Sequence, residues 1–591
     1  MTLPHSEQFG LTLQFVEGSL TLAGLLLAVG LPRAGAAKFQ AIERFFAGIA
    51  RKKHQSVLLV GLSVIVLRLA LLPLLPIPLP FETDDFSLFL AADTFLHGRI
   101  TNATPAMWTH FETIHVTMVP TYNSMYFPAI GLLLALSKAV FGHPWFGILV
   151  VTALMCAAIC WMLQEWVPPQ WALLGGLLAV LHLGLFSYWV NSYSGGGSIA
   201  GLGGALILGA LPRILRKVHF RHLLLTAMGV VLVGFTRPYE GTLLCLPVVV
   251  RSGIWLVRGK NLPPRFTLLK MASLPLALIV GAVGWLGYYD YRNFGKATTL
   301  PYTVNRATYA IAPYFIWQKP RPEPLYRQAL MRGFYRKEFE GLLPNEPLWD
   351  APLTALRRHV LDIVRTVYFF SGLALLPLLL FLPRALLDRR IRFLVVCLAF
   401  LFAGSCVEVF VLPHYVAPFT GAIYALGIEA ARHLWVWNKG GGVGRALIRN
   451  GFVALLGLAL MRPFDRLLYC PVQYWPSSNW LMLWYGPDHF GTSRESVENE
   501  LSALPGRQLA IVRYSASHEV FDQWVYNGAD IDGQKVIWAD DMGADGNREL
   551  IQYYKDRKVW LVQPDTGPVS VTPYPTGETI AANARSAGPR P

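Results

Sequence analysis

The chain is 591 residues long, 54% hydrophobic and only 15% charged, and apolar runs recur along most of it. That composition excludes a soluble globular protein and points to a polytopic membrane protein. A net charge of +15 would suit nucleic acid in a soluble chain, but here the bases cluster in short loops between apolar runs. The positive-inside rule accounts for them, and nucleic acid is not expected as a partner.

The apolar stretch 11–31 lacks a basic leader and a small-residue cleavage site, so it is not read as a signal peptide. Residues 33–53 carry Arg33, Lys38, Arg44, Arg51, Lys52 and Lys53, with Phe39, Ile42, Phe45, Phe46 and Ile49 at helical spacing. This predicts a basic amphipathic helix on the cytoplasmic surface, which pins the start of the 57–79 span inside. Five of the six cysteines (Cys156, Cys160, Cys245, Cys397, Cys406) lie in apolar runs and Cys470 beyond them, so neither a disulfide framework nor a zinc spacing exists.

Basic clusters near 213–221, 251–265, 384–392 and 432–449 mark further cytoplasmic loops. Spans near 222–235, 240–257, 270–289, 363–382, 393–412, 415–435 and 446–462 alternate between them. The turn at Arg237, the segment 291–360, the turn at His414 and everything after 463 then lie outside. Between the first loop and Arg213 stand four apolar runs, yet orientation allows an odd number of crossings. One run must be re-entrant, broken or merged, and the anomaly is placed in 126–163. The polar break 187–197, with Asn191 and Tyr193, then falls on the outer face as cavity lining. The fold class is an all-α polytopic membrane protein of about 11 to 13 transmembrane helices with a small C-terminal α/β soluble domain.

Four parts follow: an apolar segment and amphipathic helix (1–54), a transmembrane domain with external loops 80–125 and 291–360 (55–462), an α/β domain (463–565) and a disordered tail (566–591). In the α/β domain, 508–514, 536–538 and 559–562 read as strands, and 518–526 and 545–555 as helices.

Chemistry concentrates in the first external loop. Asp84 and Asp85 stand where the chain leaves the hydrocarbon, a costly place for carboxylates unless they have work to do. The structural alternative is that they favour the N-terminus of a helix over 86–97, with Thr83 as its cap. Further along come Arg99, Trp108, His110, Glu112, His115, Tyr122 and Tyr126. His110, Glu112 and His115 leave a divalent metal open, although no cofactor is firmly implied. Arg237 and Glu240 are candidate substrate contacts or simply partners of each other at a helix junction.

The acidic pair after an early span, followed by Phe86-Ser87 and Ala91-Ala92-Asp93-Thr94-Phe95, with two large external loops, resembles the GT-C membrane glycosyltransferases. Within them it is most similar to the protein O-mannosyltransferase and aminoarabinose transferase group, over roughly 57–435. The resemblance implies transfer of a sugar from a polyprenyl-phosphate donor to a lipid, glycan or protein acceptor, with inversion, at the periplasmic face of a bacterial cytoplasmic membrane. It implies Asp84 as the catalytic carboxylate and Asp85 as a holder of the loop or of a second substrate group. Asp85 stands where that group has Glu, and 125–128 lacks its lysine, so Arg99, Arg237 and Arg292 are the expected phosphate cations. The competing class is a transporter or lipid flippase, which calls for paired repeats and ionisable residues at mid-bilayer.

Overall fold

The computed structural model describes residues 5–80, 83–194, 197–259, 262–342, 352–437, 441–461 and 492–575. Six helices among them are long and apolar enough to cross a membrane: Lys53–Ala70, Trp145–Leu163, Ser198–Arg216, Pro238–Arg258, Arg265–Phe294 and Val443–Met461. The pair Arg357–Ser371 and Leu376–Leu387, bent by 112°, makes a seventh if it is one span. Shorter apolar helices, among them Pro128–Phe141 and Phe220–Gly234, pack with these. Small residues set the closest approach, because a Cβ on Gly203 would lie 2.8 Å from the Gly229 carbonyl oxygen.

The first span ends earlier than its apolar run. Pro73, Pro76, Pro78 and Pro80 cannot continue a helix, so Lys53–Ala70 stops and the chain runs on irregularly to Pro80. That leaves carbonyls to satisfy, and Arg68, fully buried, satisfies them: it donates to Leu75 O at 2.8 Å and Pro76 O at 3.1 Å, and to Asn191 Oδ1 at 3.1 Å. Its guanidinium also lies 4.8 Å from the Trp145 ring centroid.

Within the stretch 126–163 the short apolar helix Pro128–Phe141 comes first. Just before this helix Tyr126 bonds Asp84, and just beyond its other end Pro144, with Lys138, lines a cavity shared with Asp93, Arg494 and Trp538. Both ends thus lie on the side of the C-terminal domain. The run 363–382 also differs from expectation: it breaks into the bent pair at Gly372, whose φ of 57° favours glycine.

In the C-terminal domain, β1 (Val116–Thr117) and β2 (Asn123–Ser124) of the first loop have larger counterparts: β3 (Arg507–Val512), β4 (Val536–Asp540), β5 (Arg557–Gln563) and β6 (Ser570–Pro573). The sheet order is β4-β3-β5-β6, with the first three parallel and β6 antiparallel to β5. The expected helix over 545–555 is Gly543–Tyr553, but the one over 518–526 does not form. Its last residues, Gln523 to Tyr526, are buried one after another, which a one-sided helix cannot do. Strand β6 falls in the stretch read as disordered, while 576–591 and Cys470 lie outside the described residues.

The domain shares its core with the first loop. Phe86 and Leu90 of helix Thr83–Leu96, with Phe111, Val116 and Tyr122, pack on Leu509, Ile511, Tyr526 and Ile537. Phe86 stacks on Tyr526 with ring centroids 4.4 Å apart, Tyr122 donates to Asn527 O at 2.8 Å, and the Ala529 amide donates to Asp93 at 2.7 Å. Tyr526→Ala should therefore cost about 3 kcal/mol, and hydrogen exchange should show both the 507–563 sheet and the 83–125 loop opening more often. Faster exchange in the sheet alone would show that the two do not share a core.

Candidate active site

Helix Thr83–Leu96 begins with the acidic pair in its first turn. Consecutive helical residues point about 100° apart, so the two carboxylates serve different partners. Asp85 is fully buried and accepts from the backbone amides of Tyr193 and Ser194 at 3.0 and 2.6 Å. It ties the loop helix to the polar break of the helical bundle.

Asp84 keeps a third of its side chain exposed, at 33%, and turns the other way. Its Oδ1 accepts from Tyr126 O–H at 2.5 Å and from His115 Nδ1–H at 2.6 Å. His115 is held by its backbone, with a φ of 61° that is unusual outside glycine. Ser87 donates to its carbonyl at 2.7 Å and the Met125 amide at 3.1 Å, so the β1–β2 hairpin and the loop helix together fix this ring. Burial alone would raise the Asp84 carboxyl, but the pull of His115 and the bonds from His115 and Tyr126 outweigh it and hold it at about 2. Burial first, then the Asp84 charge, pushes the Tyr126 hydroxyl far up, so it remains a donor.

Across from Asp84 stand groups from other parts of the chain. Tyr302, from the second external loop, packs edge-on against Tyr126 with centroids 5.4 Å apart. Arg237 lies in the turn between two helices, 3.9 Å from Glu240 and with its guanidinium 4.0 Å from the Tyr415 ring centroid. Tyr188 O–H and His414 Nδ1 are 2.8 Å apart. The charges of Asp84 and of Arg237 both bear on Tyr302 and on His414, so the two groups share these neighbours. Burial, then Arg237, pushes the His414 imidazole well down and keeps it neutral.

Of the residues singled out in the sequence, the fold brings together Asp84, Tyr126, Arg237 and Glu240, with Asp85 behind them. Arg99 lies exposed beyond the far end of the loop helix, about 20 Å from Asp84 by helical rise. Arg292 is exposed there too: it donates to Tyr288 O–H at 2.9 Å, while its neighbour Asn293 bonds Ile100 O at 3.0 Å. Neither faces the acid. Asn191 holds Arg68, and Tyr193 donates to Pro78 O at 2.9 Å, so both brace the frame rather than line the space. His110 is buried facing Gly546 of the C-terminal domain, and Glu112 accepts from Tyr309 O–H at 2.9 Å and pairs with Arg327 at 3.4 Å. His110, Glu112 and His115 thus turn to three places, and among the described residues they form no metal-binding group. Tyr302, Tyr188, His414 and Tyr415 were missed, although His414-Tyr415, a polar pair in a turn between apolar runs, was a usable signal.

No family model matches the chain, and no curated protein matches it in sequence. Among solved structures it is similar to ArnT from Cupriavidus metallidurans bound to undecaprenyl phosphate, at 11% identity over 90% of this chain and 94% of that one, with a TM-score of 0.47. It is also similar to the oligosaccharyltransferase of Archaeoglobus fulgidus in complex with zinc and sulfate, at 11% identity over 86% of this chain and 67% of that one, TM-score 0.43. The same archaeal enzyme with an inhibitory peptide and a dolichol-phosphate matches at 12% identity over 85% and 69%, TM-score 0.41. These are GT-C membrane glycosyltransferases. At such scores the likeness is one of overall shape, and it assigns no role to any residue here.

The acidity of Asp84 is open to measurement. Its folded value of about 2 lies below the ordinary 3.8, so its partners stabilise the fold above pH 3.8, and that contribution is lost as the pH falls through about 2. Tyr126→Phe combined with His115→Gln should bring the midpoint back up towards 3.8 or beyond. Difference infrared spectroscopy, with Asp84→Asn as the blank, would read it, and an unmoved midpoint would show that these two side chains do not set it.

Proposed function

We propose that this multi-pass membrane protein is a glycosyltransferase that moves a sugar from a polyprenyl-phosphate donor to a lipid, glycan or protein acceptor. The observation that carries this is Asp84: an ionised carboxylate at the head of a loop helix, bonded by Tyr126 and His115, whose charge bears with that of Arg237 on Tyr302 and His414. The acceptor group, an oxygen or a nitrogen, attacks the anomeric carbon, the bond to the phosphate oxygen breaks, and the acceptor's proton passes to Asp84. A carboxylate held at about 2 is a weak base. It orients the acceptor and takes the proton late, once bond formation has made that proton acidic. Arg237 stabilises the departing phosphate charge in a site where burial strengthens the interaction. Attack from the face opposite the leaving group inverts the anomeric centre.

The shorter apolar helices belong to the membrane domain in this reading, and the total of about 11 to 13 transmembrane helices stands as part of the proposal. So do the bacterial cytoplasmic membrane, the periplasmic orientation of the site, and the division of the chain at 54 and 462, with the C-terminal domain extended through β6. Alternation of basic loops supports the orientation. The transporter alternative gains little from Glu17, a buried acid within helix His5–Gly30, because Tyr368 O–H and the Leu373 amide already bond it at 3.0 and 2.7 Å.

The test is transfer in detergent from a short-chain polyprenyl-phosphate sugar, at matched expression. Asp84→Asn should accumulate normally and lose about 10²- to 10⁴-fold in turnover. Full turnover in that variant would remove the main support for the enzyme reading. Arg237→Ala should weaken donor use by about 10-fold or more, as loss of a charged hydrogen bond of about 1.5–3 kcal/mol requires. Arg99→Ala and Arg292→Ala should stay near wild type, and a large loss in either would mean that the phosphate lies at the other end of the loop helix.

A further inference from the structure

A second cluster of ionisable groups sits at the end of the bundle away from the C-terminal domain. Glu429 and His433 are four residues apart on helix Thr420–Trp435 and so share a face. Asp388, just past the short helix Leu382–Leu386, reaches the same place: His433 Nε2 lies 3.0 Å from Asp388 Oδ2 and 3.6 Å from Glu429 Oε1. One ligand atom from each residue falls within 4.8 Å of the others. We propose that Asp388, Glu429 and His433 bind a first-row divalent cation, zinc in the first place.

Charge makes the first part of the case. Arg432 donates through Nη2 to Asp388 Oδ2 at 2.9 Å and also to Glu429. One guanidinium therefore serves two carboxylates. The second part is independent of charge counting. Glu429 is fully buried, and its Oε2 has no hydrogen-bond partner. A buried carboxylate oxygen without a donor is costly, and a dication between these three side chains would satisfy it. Two carboxylate oxygens and one imidazole nitrogen suit zinc, manganese, iron or cobalt. Calcium and magnesium prefer oxygen alone, and monovalent copper prefers sulfur. Arg432 then plays the part of the outer donor that ligating carboxylates usually carry, as does the Arg390 amide, 2.9 Å from Asp388 Oδ1. The ion would fasten the segment after the bent pair to helix Thr420–Trp435, far from Asp84.

The test uses the full-length protein in detergent with its affinity tag removed, stripped with a chelator and reloaded with zinc or cobalt alone. Wild type should retain a single equivalent of zinc after gel filtration and show a ligand-field band with cobalt. His433→Gln, a partly exposed position, should weaken binding by on the order of 100-fold and abolish the zinc-dependent rise in melting temperature. Asp388→Asn should do the same. Equal zinc retention in wild type and His433→Gln would overturn the proposal. So would a wild type that shows no ligand-field band at saturating cobalt, a reading that needs no variant to fold.

Discussion

Asp85 buries its carboxylate on the backbone amides of Tyr193 and Ser194, and much of the candidate site depends on that anchor. Charged hydrogen bonds of this kind contribute about 1.5–3 kcal/mol each. They fix where the loop helix starts relative to the bundle, and because Asp84 is the neighbouring residue, they fix where its carboxylate points. The Arg68 staple acts on the other side of the same junction, holding the proline-broken exit of the first span against Asn191 and Trp145. Asp85 and Arg68 thus grip the same short polar break, residues 187–194, from its two sides.

The soluble layers then close over this junction. The loop helix has two different sets of partners: Asp84 faces Tyr126 and His115, whereas Phe86 and Leu90 face the sheet of the C-terminal domain. Lys337 of the second loop pairs with Glu519 at 2.7 Å, and Phe334 packs on Phe521. The C-terminal domain therefore braces both external loops, and it reaches the acid through the helix that carries it.

Much of this was legible in the sequence. Apolar runs and the clustering of Lys and Arg gave the membrane class, because twenty or so apolar residues in water have no other stable place. The acid pair stood out because carboxylates at a hydrocarbon boundary are expensive. Strands β3, β4 and β5 followed from their β-branched and aromatic runs, whereas consecutive burial at 523–526 defeated the helix expected there.

What the sequence determined by itself is therefore what local physics enforces: which segments leave water, which cannot remain helical past their prolines, and which residues are costly where they stand. Only the tertiary structure decided which distant groups meet. Arg99, Arg237 and Arg292 look alike as external cations in the sequence, yet of the three only Arg237 shares the neighbours Tyr302 and His414 with Asp84, because the rigid length of the loop helix carries Arg99 to its far end and Arg292 lies there beside it. Tyr302, Tyr415 and His414 join the site from segments more than 200 residues away, and no local pattern encodes such a meeting. It follows from the packing of helices whose faces are matched only once the whole bundle has formed.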